Sequence, residues 1–199
     1  MATEILMPLA PAAPPVPSHS LTEPMLNGDI LYEVVDGEIR ELPPMSARET
    51  RFANNLLLLL GAFAKTASLG VVDAEMLFLL DNARGLQRRT DVSFVSYRRW
   101  PKGKPVPGTP AWEVVPDLAV EVVSPTNGAN EVIGKVEEYF TCGVRRVWVF
   151  YPLYGKVYDY ASPTAVQILT RADRLSGADV LPGFEVALSE IFEDPAGVV

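Results

Sequence analysis

At 199 residues, 48% hydrophobic and with a formal net charge of −8, the chain can form one globular domain with a sizeable core and is too acidic for broad nonspecific adhesion to nucleic acid. A single cysteine, Cys142, excludes an intramolecular disulfide and a Cys-rich zinc site and fits a reducing, cytoplasmic setting, while a single histidine, His19, argues against Ser-His-Asp or Cys-His catalysis. A bound metal is left with carboxylate, carbonyl and water oxygens, the ligand set of Mg²⁺ or Mn²⁺.

Residues 1–24 carry Pro8, Pro11, Pro14, Pro15, Pro17 and Pro24 and read as a flexible, polyproline-like extension, leaving 25–199 as a single domain. The extension holds Glu4 and Glu23 and no basic residue, so it does not explain the acidity; a polyanion site requires a local basic patch. Its acidic start and proline-broken apolar run do not suit a secretory signal. The longest apolar burst, Leu56 to Leu60, falls far short of the ~20 residues that span a bilayer, so no membrane partner is expected.

Residues 32–42 form two extended runs joined by Asp36-Gly37, a hairpin signal, and Pro43-Pro44 ends them. Ser46-Ala47-Arg48-Glu49 has capping-box spacing and opens a helix to about residue 67, with Phe52, Leu56, Leu59, Leu60 and Phe63 on its buried face. Residues 71–80 and 86–96 read as strands around a turn. Residues 97–115, with Pro101, Pro105, Pro107 and Pro110, read as a long irregular insertion of the kind that is often functional. A strand from Leu118 stops at Ser124-Pro125, and residues 126–128 turn into a helix over 129–141 that ends at Cys142-Gly143. Strands over 145–151, 155–160 and 166–171 and a short helix over 187–192 complete a mixed α/β domain around one sheet.

Glu121 stands out. Its neighbours from Leu118 to Val123 are apolar and mostly β-branched, which predicts a strand covered on both faces. A carboxylate there must be paired, protonated or metal-bound. Asp91 and Glu75 are acids on the two preceding strands, and adjacent strands lie about 4.8 Å apart, so carboxylates at matching heights can share one hard cation. Alone, an acid at a strand's entry, such as Asp91, is usually a solvated residue. Lys135 falls on the margin of the apolar face formed by Val132, Val136, Tyr139 and Phe140, at about 100° per residue, where its stem can run along the core. The plain alternative is a surface pair with Glu131 or Glu138. Cys142 reads as a packing residue.

Tyr-Glu-Val-Val-Asp-Gly-Glu (32–38), Thr-Asp-Val-Ser-Phe-Val (90–95), Val-Glu-Val-Val-Ser-Pro (120–125), Lys135 with Tyr139, Gly-Val-Arg-Arg-Val-Trp-Val (143–149) and Leu-Pro-Gly-Phe-Glu (181–185) occur in the order that resembles the Uma family of restriction-endonuclease-like proteins, within the PD-(D/E)XK nuclease superfamily. The similarity runs over roughly residues 30–193. It implies a restriction-endonuclease-like mixed sheet flanked by helices, with an N-terminal β-hairpin and a Mg²⁺- or Mn²⁺-dependent site that cleaves DNA.

Carried over position by position, Asp91 matches the Asp of the Pro-Asp motif and Glu121 the acid of the (D/E)XK motif. The motif's lysine falls on Val123 here, and Lys135 matches a lysine moved to the following helix. Glu75 matches a less uniform acidic position. Thr90 replaces the motif's Pro, and Glu49, Thr50 and Arg51 stand where the family often has a histidine. The resemblance implies Asp91, Glu121 and Lys135 as catalytic residues and Asp91, Glu121 and Glu75 as metal ligands, the Val122 carbonyl beside them, with Lys135 orienting water or offsetting phosphate charge.

Arg88, Arg89, Arg98, Arg99 and Lys102, with Arg84 and Lys104, are candidates for DNA contact, and Trp100 for stacking on a base; a solvated charge run is the plain alternative. Trp112 and Tyr151, Tyr154, Tyr158 and Tyr160 are candidates for a homodimer interface. Two other functions stay open: a catalytically weak binding or assembly module of the same fold, and a different metal-dependent phosphoester or nucleotide hydrolase.

Overall fold

Asp36 and Gly37 both take positive φ, 53° and 79°, the backbone of a tight two-residue turn, and so pair β1 (Tyr32–Val35) with β2 (Glu38–Glu41) as the expected hairpin. The computed structural model describes residues 30–125 and 127–192. The proline-rich stretch over 1–24, with His19, and Thr126 of the turn before the second helix lie outside the described residues.

Helix α1 (Ala47–Thr66) opens on a reciprocal cap: Glu49 N–H donates to Ser46 Oγ at 3.4 Å, and Ser46 N–H donates to Glu49 Oε2 at 2.8 Å. Its buried face, including Phe52, Leu56, Leu60 and Ala64, packs on Val92, Phe94, Val120, Trp148 and Phe150 of the sheet. Gly70 then lets the chain turn directly into β3 (Gly70–Asp81), because a Cβ there would lie 2.2 Å from the Val95 carbonyl oxygen.

β3 pairs antiparallel with β4 (Leu86–Ser96) along nearly its whole length, from Gly70 opposite Ser96 to Asp81 opposite Leu86. The segment after β4 has little regular structure, but it is anchored. Trp112 N–H donates to the Leu77 carbonyl and Leu79 N–H to the Trp112 carbonyl, and the Trp112 ring stacks on Phe78 at 5.8 Å. Trp112 is 1% exposed and belongs to this chain's own core, which corrects its expected place at a subunit interface.

β5 (Leu118–Val122) is buried throughout and lies between β4, antiparallel, and β6 (Arg146–Tyr151), parallel. The crossover is α2 (Ala129–Thr141), as a parallel pair requires. β7 (Lys156–Ser162) and β8 (Ala165–Thr170) extend the sheet. The order is β2-β1-β4-β5-β6-β7-β8, with β3 on the other side of β4. A small antiparallel pair, β9 (Arg174–Ser176) with β10 (Glu185–Ala187), leads to α3 (Leu188–Phe192) and closes the core on the α1 side. The opposite face is covered by Val132, Val136 and Tyr139 of α2. These elements form the expected mixed α/β sheet flanked by helices; the β9–β10 pair is additional.

β4 holds the key position. β3 fills one of its edges, so β1 and β5 share the other: β1 joins at Gln87, opposite Val34, and β5 joins only from Val92 to Phe94. Between those contacts, over residues 88–91, the edge opens. The candidate site lies in that gap.

Candidate active site

The acids fall into one row. Ala74 pairs with Val92 and Met76 with Thr90, which brackets Glu75 against Asp91 on the neighbouring strand. Val92 pairs with Val120, so the next positions along the two strands are Asp91 and Glu121. The three acids expected to share a site thus occupy matching heights on β3, β4 and β5. They line a cleft of about 420 Å³ together with Lys135, Arg89 and Glu49.

Glu121 is buried and held from both oxygens. Lys135 Nζ donates to Oε2 at 3.1 Å, and the Tyr139 hydroxyl donates to Oε1 at 2.6 Å. Both donors come from α2, one helical turn apart, so Lys135 enters the core margin as its position on the helix suggested. The Lys135 ammonium also contacts Glu33 Oε1 at 3.0 Å, and Glu33 pairs with Arg88 at 2.6 Å. Arg88 in turn meets Glu138 at 2.5 Å. Two cations and three carboxylates thereby form one connected ion-pair network beneath the cleft.

Asp91 plays a different part. Its Oδ2 accepts from Val122 N–H at 2.5 Å, a side chain taking up the strand's ladder donor just where β4 and β5 part. Its other oxygen has no hydrogen-bond partner among the described residues. Burial, then the Glu121 charge, push the Asp91 carboxyl well above its usual range, against the opposing Val122 hydrogen bond and the Lys135 charge. Burial likewise raises Glu121, with Lys135 and Tyr139 pulling the other way, and raises Glu75. For Lys135, burial works downward, but the Glu121 and Glu33 carboxylates more than offset it and hold the ammonium protonated.

Glu75 has a φ of +54°, the left-handed region that a non-glycine residue seldom occupies. The flip interrupts β3–β4 pairing opposite Asp91 and presents the Glu75 carbonyl to Arg89 Nη1, which donates to it. Such distortions persist where surrounding structure holds them, and they concentrate at functional sites.

The fit of a metal rests on the chemistry of these donors. Asp91, Glu121 and Glu75 offer only oxygens, and their mutual repulsion is the kind a hard divalent cation relieves. Among the described residues, no group of three or more Asp, Glu, His or Cys side chains is placed to hold a metal ion by itself. Asp91 and Glu121, with Glu75 beside them, would need water and substrate oxygens to complete a coordination shell.

The basic candidates divide. Arg89 lines the cleft, whereas Arg88 is buried and committed to Glu33 and Glu138. Arg98, Arg99 and Lys102 follow the end of β4 at Ser96, about 17 Å along the strand from Asp91 at ~3.3 Å per residue. Arg99 is tied there to Asp117 at 3.1 Å and to the Val115 and Gly143 carbonyls, both at 2.7 Å. Arg98 and Lys102 are exposed. Trp100 packs edge-on against Trp112, carries Lys104 Nζ 3.5 Å above its ring and donates Nε1–H to the Lys104 carbonyl, so its indole is already engaged. Cys142 caps α2, and burial raises its thiol, in keeping with a packing role.

One site residue escaped the sequence reading: Glu49, seen there as a capping residue at a position where the family often has a histidine, lines the cleft as well. Glu33 carried the same signal as Glu121, an acid beside buried β-branched residues in a short strand.

A family model described as "Putative restriction endonuclease", Uma2, matches residues 19–189. The chain belongs to the Uma2 family. The Uma2 chain also shares its fold with a crystal structure described as a "putative nuclease belonging to DUF820 from Anabaena variabilis", with a TM-score of 0.71 and 14% identity over 81% of this chain and 89% of that one. No curated protein sequence matches it. Among its described residues, no helix is long and apolar enough to cross a membrane. Within the Uma2 family, then, this member aligns three acids and a lysine in one cleft of a nuclease-like fold.

Proposed function

We propose that this Uma2-family chain hydrolyses DNA phosphodiester bonds with a Mg²⁺ or Mn²⁺ ion held by Asp91 and Glu121, with Glu75 beside them. One observation carries the proposal: Glu75, Asp91 and Glu121 stand in register on β3, β4 and β5, and Lys135 Nζ lies 3.1 Å from Glu121 in the same cleft. When bound, the cation polarises the scissile phosphate and acidifies a water.

The chain's own groups do the rest. Asp91 must lose its proton to serve as a ligand, and the Val122 N–H fixes one of its oxygens while leaving the other for the cleft. Tyr139, whose hydroxyl burial and the Glu121 charge keep protonated, is a permanent donor that fixes the Glu121 carboxylate. Lys135 acts as a donor and not as a base, since its ammonium is held charged by two carboxylates. Its role is to offset charge that develops on the phosphate oxygens.

The test is Mg²⁺- or Mn²⁺-dependent nicking of supercoiled plasmid by the wild type, Asp91→Asn, Glu121→Gln and Lys135→Ala. Each substitution should lower cleavage by about 100-fold or more. Nicking that survives all three would come from a contaminant and would overturn the assignment. A second reading, a catalytically weak binding module of the same fold, draws on the internal satisfaction of Glu121 by Lys135 and Tyr139. Absence of cleavage with either metal on any DNA or RNA would favour it.

A further inference from the structure

A second cavity, of about 440 Å³, lies beside α1 and carries a different charge. Arg48 and Arg51 from the first turns of α1 and Arg171, just after β8, line it, with no acid among the described residues of its lining. None of these arginines forms an ion pair among the described residues, in a chain whose net charge is −8. Every arginine of the acidic cleft and its floor, by contrast, is bonded to a carboxylate or a backbone carbonyl.

Arg171 is also held in place. A Cβ on Gly155 would lie 2.7 Å from its Nε, so the glycine leaves the space its side chain occupies, and its guanidinium sits 5.4 Å from the Phe192 ring centroid. Arg51 and Asn55 lie one turn apart on the same face of α1.

The two cavities flank one short piece of helix. Ser46 and Glu49 line the acidic cleft, while Arg48, Arg51 and Asn55 line the basic cavity on the other side of the same turns. A helix with its side chains is about 10–12 Å across. At about 3.4 Å of rise per nucleotide, three or four nucleotides of a strand cover that distance.

We propose that Arg48, Arg51 and Arg171 form the backbone-phosphate site that holds a DNA strand across the start of α1, a few nucleotides from the phosphate in the acidic cleft; this rests on the nuclease reading above. The guanidiniums offer planar forks suited to phosphate oxygens. They supply the local basic patch that so acidic a protein needs. In that role they stand in place of Arg88 and Arg99, which the fold uses internally.

Fluorescence anisotropy of a labelled 20-nucleotide DNA, single-stranded and duplex, in EDTA over a salt series, tests the site without metal-dependent cleavage. The Arg48→Ala/Arg51→Ala/Arg171→Ala triple variant should bind about 10-fold or more weakly, and its log K against log salt slope should be shallower by about 2 to 3, near 0.7–0.9 per lost phosphate contact. The corresponding triple lysine variant should keep most of the slope, which separates charge from folding. Unchanged affinity and slope in the alanine variant, or no DNA binding by the wild type, would overturn the proposal. Displacement of the DNA by inorganic phosphate at matched ionic strength would assign the cavity to a free anion and also overturn it. Normal binding by the alanine variant together with loss of nicking in Glu121→Gln would sink the arginine site and leave the nuclease reading intact. Arginine-dependent binding by a wild type that nicks nothing would do the reverse.

Discussion

Glu33 and Lys135 meet at 3.0 Å, although one belongs to the N-terminal hairpin and the other to α2. The hairpin is thus part of the site's floor. Glu33→Ala removes a shared partner of two buried cations, Lys135 and Arg88, and should destabilise the fold by about 3 kcal/mol. Urea denaturation gives the answer. An unchanged midpoint would mean that solvent already screens the cluster.

Tyr139→Phe deletes the 2.6 Å donor to Glu121. That hydrogen bond opposes the upward push of burial on the Glu121 carboxyl, so its loss raises the carboxyl further. The acid limb of the cleavage–pH profile should therefore move to higher pH, with a stability loss of about 2 kcal/mol. A profile superimposable on the wild type would assign Tyr139 to packing alone.

Stability should fall as pH rises through the carboxyl range when no divalent metal is present. Asp91 ionises near 3.9 in an unfolded chain and well above that when folded, so the native state holds the extra proton between the two values. Glu75 and Glu121 shift in the same direction and add to the slope. Stability is fullest below the unfolded value and is lost as pH passes the folded one. Mg²⁺ or Mn²⁺ should restore it, most strongly at the higher pH, and Asp91→Asn should flatten both the pH slope and the metal response. Thermal melts from pH 4 to 8, with metal and with EDTA, measure this; a metal response of equal size in Asp91→Asn would remove Asp91 from the ligand set.

Glu75 invites a paired substitution. Glu75→Gly and Glu75→Ala both delete the carboxylate, but only glycine takes a φ of +54° without steric cost. The glycine variant should be more stable than the alanine variant by about 1 kcal/mol. Both should bind Mn²⁺ more weakly than the wild type by calorimetry. Equal stabilities would show that β3 relaxes out of the left-handed conformation once the acid is gone.

Much of this architecture was legible because local signals agreed with tertiary demand. The Asp36-Gly37 turn, the Ser46–Glu49 capping box and the apolar runs around Phe94 and Val120 each specify their element without help from distant residues. The strands over Arg174–Ser176 and Glu185–Ala187 were not legible, because three residues carry no usable period. The register of Glu75, Asp91 and Glu121 was not legible, because three acids on three successive strands permit many relative heights, and only the pairing of β3, β4 and β5 fixes a common one. The destinations of Arg88 and Arg99 were hidden for another reason. A charged side chain looks the same in sequence whether solvent, DNA or a buried carboxylate receives it, and only the fold brings Glu138 or Asp117 within reach.

The shared edge of β4 bears on how this protein can be shortened. A version of the chain starting after Glu41 would strip β1 from Gln87 and remove Glu33 at once, leaving the N-terminal half of β4 with bare amides and carbonyls beside two cations short of a counter-charge. Such an edge invites strand-to-strand association between molecules. The hairpin, four residues on each side of its turn, therefore works as a guard as much as a scaffold.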